Sequence, residues 1–275
     1  MVSQEGEGGV FPVEIKRIRT YVKGLDEHIQ GGIPEGHLCL ISGTAGSMKS
    51  SLCFSIQYNE ALNGRTSLYI SLEQSAESLV KHMSNLGLDL GKIELVTVKD
   101  LSHLHQGLER VKENPRSVII VDVGAIRKEI KDLRVADNRS WLNAIKNIVK
   151  KVRAETPCSL FTLDSMSALY VLSKFENPRI ELFYFFEFLR DLGMTSLLIS
   201  EQTEGKDTAR YAQYELEEFL SDGIVQLRLT PFRRNVVREI NVVKMRATKV
   251  RLDIFSLEFK NGAFHALYGG QNPLL

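Results

Sequence analysis

The stretch Gly43-Thr44-Ala45-Gly46-Ser47-Met48-Lys49-Ser50 puts two glycines, a lysine and a terminal hydroxyl within eight residues. It lies between an apolar run, HLCLIS (37–42), and a segment, 49–63, that carries Leu52, Ile56 and Leu62 among small residues. A strand that runs through a glycine loop into a helix aims backbone N–H groups at one spot, and glycines let the chain wrap an anion closely there. Gly43, Thr44, Ala45, Gly46, Ser47, Met48, Lys49, Ser50 and the following Ser51 are therefore candidate phosphate-binding residues. Lys49 would neutralise β- and γ-phosphates, and the Ser50 hydroxyl would face Mg²⁺. The spacing follows G-x-x-x-x-G-K-[ST] except at Met48, which stands where the pattern has its second glycine. A side chain there either crowds the phosphates or points away and tunes affinity. A plain strand-to-helix turn that binds nothing is the competing reading.

Further polar residues close other apolar runs. Asp164 ends LFTLD, where a carboxylate can hold Mg²⁺ through its water shell opposite Ser50. Glu73 follows SLYISL, where it can orient and deprotonate an attacking water. The alternative for Glu73 is a helix-start acid beside Ser75 that favours the next helix dipole. Gln202 follows LLISE. Ligands of open α/β sheets bind outside the carboxyl ends of strands, so the convergence of 43–50, Glu73, Asp164 and Gln202 at such ends outweighs any one of them.

The elements that must hold these residues alternate in character. Short runs that are apolar throughout, at 37–42, 67–72, 93–98, 117–123, 160–164 and 195–200, read as buried strands. Helices fit between them at 49–63, 75–86 and 140–154. In the last, Trp141, Ile145, Ile148, Val149 and Val152 share one helical face. This predicts an α/β fold with a mainly parallel sheet covered by helices on both faces. The last third differs. Residues 224–230 and 236–246 read as two strands around a turn, and 252–259 with 263–268 as a hairpin across Asn261-Gly262. The expected architecture is a parallel core with C-terminal antiparallel strands. Residues 1–12 read as a flexible Gly-rich tail and 13–275 as a single domain. The charged segment 124–139 reads as a surface helix or a mobile loop.

Composition narrows the function class. The chain has 275 residues, 43% of them apolar and 25% charged, with a formal net charge of +1. That is globular composition without the overall basic excess of a nucleic-acid or acidic-membrane binder. Cys39, Cys53 and Cys158 each sit in an apolar stretch and read as buried thiols of a reducing compartment. No apolar run approaches the ~18 residues of a membrane span, and the acidic start has no secretory pattern, so the expected location is cytoplasmic.

Several stretches together resemble a known family. YVKGLDEHIQGGIPEGHLCLISGTAGSMKSSL (21–52), SLEQ (71–74), LDSMSAL (163–169), EEFLSDGIVQLR (217–228) and INVVKMRAT (240–248) occur in the order found in the KaiC-type domain of the RecA superfamily. The resemblance covers roughly residues 17–268. It implies a RecA-like P-loop core that binds ATP with Mg²⁺ and assembles as a homo-oligomeric ring, often a hexamer, with the nucleotide between subunits. It implies Ser50 and Asp164 at the magnesium and Glu73 as the first of two catalytic glutamates, the second being Gln74 here. It implies Lys244 and Arg246 as a basic pair that a neighbouring subunit inserts toward the γ-phosphate, and Gln202 at the place of a γ-phosphate sensor. The stretch at Glu217 and Glu218 resembles the KaiC half without adjacent Ser and Thr, so self-phosphorylation is not expected. The expected function is a ring-forming regulatory or signalling ATPase with an unknown protein partner. The alternative is a nucleotide-gated assembly module with little turnover; a DNA recombination motor is less favoured.

Other features read blandly. His103 and His105 would face apart on a helix, so no metal site is expected. Lys146, Lys150, Lys151 and Arg153 read as a solvated face rather than a nucleic-acid patch. The stretch LFYFFEFL (182–189) reads as a buried helix, and Arg233 and Arg234 as an exposed turn. Ser165 and Ser167 lack a His partner for a hydrolase triad.

Overall fold

A computed structural model describes residues 14–132, 140–173, 175–204 and 209–268. The expected tail, 1–12, and the end of the 124–139 segment lie outside the described residues. Eleven strands build the large sheet. They are β1 (Val22–Lys23), β2 (Leu38–Gly43), β3 (Ser67–Ser71), β4 (Glu94–Val98), β5 (Ser117–Asp122) and β6 (Leu160–Asp164), followed by β7 (Thr195–Glu201), β8 (Gly223–Phe232), β9 (Asn235–Met245), β10 (Ile254–Lys260) and β11 (Ala263–Leu267). Their spatial order is β1-β11-β10-β9-β8-β2-β7-β6-β3-β5-β4. Every pair from β8 across to β4 is parallel. The strands β8 to β11 form an antiparallel meander, and β1 adds in parallel to β11.

The parallel strands are apolar throughout because both of their faces are covered. Cys39 and Ile41 of β2 belong to one core, while Leu38 and Leu40 belong to the other, as the two-residue period of a strand requires. The first core takes α1 (Lys49–Leu62) and α2 (Ala76–Asn85). The second takes α3 (Leu104–Glu113), α4 (Val123–Asp132), α5 (Ser140–Glu155), α6 (Met166–Ser173) and α7 (Pro178–Asp191). A short α8 (Leu216–Leu220) precedes β8. The face of α5 named from its spacing is buried along its length, from Trp141 to Val152.

The three thiols are free and buried, and burial pushes Cys39 and Cys158 up to about 12, which leaves them protonated and unreactive. Asn261 and Gly262 both take positive φ, 54° and 72°, the backbone of a type I′ hairpin turn. Residues 124–132 of the charged segment are helix, within α4, with Ile126 buried. Two expectations need correction. The aromatic helix α7 is buried on one face only: Leu182, Phe185, Phe186 and Leu189 point inward, and Phe183 and Tyr184 are exposed. Of the α5 cations, Lys150 and Lys151 are exposed as expected, but Lys146 and Arg153 are half-buried and engaged. Arg153 donates to the carbonyls of Cys158 and Leu192, at 2.8 and 3.2 Å, and Lys146 stands over the Phe188 ring.

Candidate active site

Strand β2 ends at Gly43, and the backbone there admits no side chain. A Cβ on Gly43 would lie 2.4 Å from the Leu227 carbonyl oxygen of β8 and 2.8 Å from the Ser47 hydroxyl. The loop then turns on Ser47, whose hydroxyl donates to the Thr44 carbonyl at 2.7 Å. Gly46 has φ 77° and Met48 φ 73° with ψ 28°, so the residue that caps α1 is left-handed without being glycine. Met48 thus keeps the backbone conformation that a glycine would adopt freely, and its side chain packs partly against the core beside α1. For an L-residue this conformation costs about 1–2 kcal/mol.

Lys49 is the first residue of α1 and is only 8% exposed. Its Nζ donates to the carbonyls of Gly43 and Thr44, each at 2.9 Å, which holds the ammonium at the mouth of the loop with a third N–H to spare. Burial lowers its pKa, and Glu201, Asp164 and Glu73 oppose that shift. Asp164 is 2% exposed at the end of β6. Its carboxylate accepts the Tyr69 hydroxyl at 2.5 Å and also the Ser50 hydroxyl. Burial pushes the Asp164 carboxyl up, against the pull of those two hydrogen bonds.

Glu73 lies two residues beyond β3, exposed, and accepts a hydrogen bond from the Ser165 hydroxyl. The Leu72 N–H donates to the Asp164 carbonyl at 2.7 Å, which ties the ends of β3 and β6 together. Ser75 caps α2 and Glu77 supplies the acid of its first turn, so Glu73 stands outside that helix. One cleft of about 380 Å³ is walled by Ala45, Gly46, Met48, Lys49, Ser50, Ser51, Glu73, Gln74, Asp164 and Ser165. Ser78 and His82 of α2, with Ile199 and Glu201 of β7, complete it.

Gln202 is not part of that lining. Its N–H donates to the Gly43 carbonyl at 3.1 Å, and its side-chain oxygen accepts from Gln226 at 3.1 Å. The neighbour Glu201 takes the place in the cleft and acts on Lys49. Sequence reading missed Glu201. The signal was present, since successive residues of a strand face opposite ways, but the phase of that alternation at the end of β7 is set by its pairing with β2.

Lys244 and Arg246 lie away from the cleft of their own chain. Lys244 pairs with Ile224, and Ile224 pairs with Leu40, three residues before Gly43. At ~3.3 Å per residue Lys244 therefore sits ~10 Å down the sheet from the loop, with Arg246 farther still. Lys244 Nζ donates to the carbonyls of Glu218 and Ser221 at 2.8 and 2.7 Å. Arg246 donates to Asp222 Oδ1 at 2.9 Å and to the Phe219 carbonyl at 3.3 Å. Both cations thus gather around the last turn of α8, where free carbonyls attract positive charge. Burial lowers the Lys244 pKa, as does the adjacent Arg246. The one grouping of three His, Cys or acidic side chains close enough to share a metal ion among the described residues is elsewhere: His105 Nδ1 stands 3.6 Å from Glu155 and 4.0 Å from Glu109 on the α3–α5 surface. Spacing along the sequence paired His105 with His103 and did not anticipate these acids.

Among the described residues no helix is long and apolar enough to cross a membrane. The chain is 25% identical over 255 residues to a UPF0273 protein of Pyrobaculum aerophilum, covering 92% of this chain and 83% of that protein. It is 26% identical over 253 residues to the circadian clock protein KaiC3 of Synechocystis, covering 90% of this chain but 43% of KaiC3. In fold it is similar to the crystal structure of a KaiC-like protein from Pyrococcus horikoshii, with a TM-score of 0.68 at 21% identity, over 92% of this chain and 99% of that one. The model of the family described as "ATPase: KaiC" matches residues 18–265, which take in the glycine loop, both strand-end acids and the basic pair, and the chain belongs to that family.

Proposed function

We propose that this chain binds Mg-ATP in the cleft and hydrolyses it, acting as a ring-forming regulatory ATPase whose sites are completed by a neighbouring copy. The observation that carries this reading is the convergence of Lys49, Ser50, Glu73 and Asp164 on one cleft at the carboxyl ends of parallel strands. The loop N–H groups and Lys49 would bind the phosphates. The Ser50 hydroxyl and the Asp164 carboxylate are paired oxygen donors, a set that suits Mg²⁺, and they would hold it between them. The bound ion would neutralise charge on the phosphate oxygens. Glu73 would orient a water and accept its proton, with Ser165 fixing one carboxylate oxygen and leaving the other for the water.

Lys244 and Arg246 cannot serve the loop of their own chain, which supports a role across an interface with a second copy. A partner protein of regulatory kind completes this proposal. The second reading is a nucleotide-gated module with little turnover. It is favoured by Gln74, which lines the cleft where a second acid would add a base. ATP turnover, measured beside a nucleotide titration, separates the two. Glu73→Gln should keep ATP bound and cut turnover by ~10²–10⁴. A parent that binds ATP without turnover favours the module. Undiminished turnover in Glu73→Gln would remove Glu73 from the chemistry.

A further inference from the structure

We propose that His105, Glu109 and Glu155 form a binding site for a divalent transition-metal ion of the Zn²⁺ kind, which ties α3 to the end of α5. The site lies outside the nucleotide cleft and does not depend on what binds there. His105 and Glu109 are four residues apart on α3 and share a helical face, while Leu104, Leu108 and Val111 take the buried one. Glu155 is the last residue of α5 and reaches the same spot from a second helix. Each residue offers one ligand atom, and the three atoms lie within 4.8 Å of one another.

These separations are those of ligands around an ion rather than of a hydrogen-bonded cluster. His105 Nδ1 stands 3.6 Å from Glu155 Oε2 and 4.0 Å from Glu109 Oε1, too far to hydrogen-bond either acid. Ligand atoms that share a tetrahedral ion at bonds of ~2.1 Å lie ~3.4 Å apart, so shifts of about an ångström close the set. His105 and Glu109 are exposed, which leaves them room for such shifts. Two features of Glu155 also call for a cation. Its Oε2 atom is buried and has no hydrogen-bond partner among the described residues. Its carboxylate stands at the C-terminus of α5, where the helix dipole favours positive charge. The Lys112 ammonium donates to Glu109 Oε1 at 2.7 Å and leaves the second Glu109 oxygen for an ion. One imidazole nitrogen with two carboxylates is a mixed set that suits Zn²⁺, whereas Mg²⁺ and Ca²⁺ prefer oxygen alone. Three protein ligands leave the fourth position to water.

Calorimetric titration of Zn²⁺ into the full chain, with Mg²⁺ in excess to occupy oxygen-only sites, tests this on the parent, His105→Ala, Glu155→Gln and His103→Ala. The parent should take up one Zn²⁺ that His105→Ala and Glu155→Gln each bind ~10–100-fold more weakly. His103→Ala removes the neighbouring histidine, which stands beside Asp100 instead, and should match the parent. Zn²⁺ should raise the melting temperature of the parent and of His103→Ala more than that of the other two variants. Equal Zn²⁺ uptake by the parent and His105→Ala overturns the inference. So does an equal loss in His103→Ala, because any surface imidazole would then suffice. A loss in His105→Ala with none in Glu155→Gln also overturns it, since the ion would not join the two helices.

Discussion

Met48 offers a test in which two small substitutions should rank in the unusual order. Where the backbone is right-handed, alanine outperforms glycine, because glycine leaves the unfolded chain ~0.4–1 kcal/mol more conformational freedom to lose. At φ 73° the native backbone penalises any L-side chain, by about 1–2 kcal/mol. Met48→Ala loses the partly buried thioether and keeps that penalty. Met48→Gly loses the same packing and sheds it. The packing term is common to both variants and cancels in their comparison. Glycine should therefore be the more stable of the two by roughly 0.5–1 kcal/mol, the difference of the conformational terms. For a chain of this size that corresponds to a melting temperature higher by about 1–4 °C. Thermal or urea unfolding of both variants without nucleotide reads it directly. An alanine variant as stable as the glycine variant would refute the argument that Met48 holds a strained left-handed turn.

Asp164→Asn should abolish turnover yet stabilise the nucleotide-free protein at neutral pH. Burial raises the Asp164 pKa in the fold, so its ionised form opposes folding above that raised pKa, and the opposition is relieved as pH falls through it. The gain in melting temperature should accordingly shrink toward acid pH; a gain that is constant with pH, or a loss at neutral pH, would contradict this. Mixing Lys49→Ala with Lys244→Ala/Arg246→Ala should restore part of the ATPase activity that each lacks alone, because some interfaces then pair an intact loop with an intact basic pair. Absence of recovery in assemblies shown to be mixed would place Lys244 and Arg246 outside the reaction.

The glycine loop, the parallel core and the two late hairpins were legible because each is written in local spacing. Gly43 and Lys49 belong to a fixed eight-residue pattern, the buried strands are apolar throughout, and Asn261-Gly262 names its own turn. What was not legible depends on pairing between distant segments. Whether Glu201 or Gln202 faces the cleft is decided by the register of β7 against β2. The hydrogen bonds that hold Lys244 and Arg246 come from α8 carbonyls, which no side-chain pattern announces. Arg153 looked like one of a row of surface cations, and only the packing of α5 against the carbonyls of Cys158 and Leu192 shows that it is bonded. The outward turn of Phe183 and Tyr184 had one sequence signal, Glu187, the single charged residue of 182–189, which lies four and three residues on and shares their exposed face.

The pairing of β1 with β11 bears on how the molecule comes together. Val22 lies beside Phe264, so a strand near the beginning of the described chain has its sheet partner near the end. The edge of the sheet cannot be completed until β8 to β11 have formed, and closing so long a loop is entropically expensive and slow. During synthesis β1 would leave the ribosome long before its partner exists. Meanwhile the parallel strands around β2, made earlier, can assemble the loop and its acids. The order of manufacture thus favours a core that matures first and an edge that locks last, which makes that edge the natural place for the folded protein to begin opening.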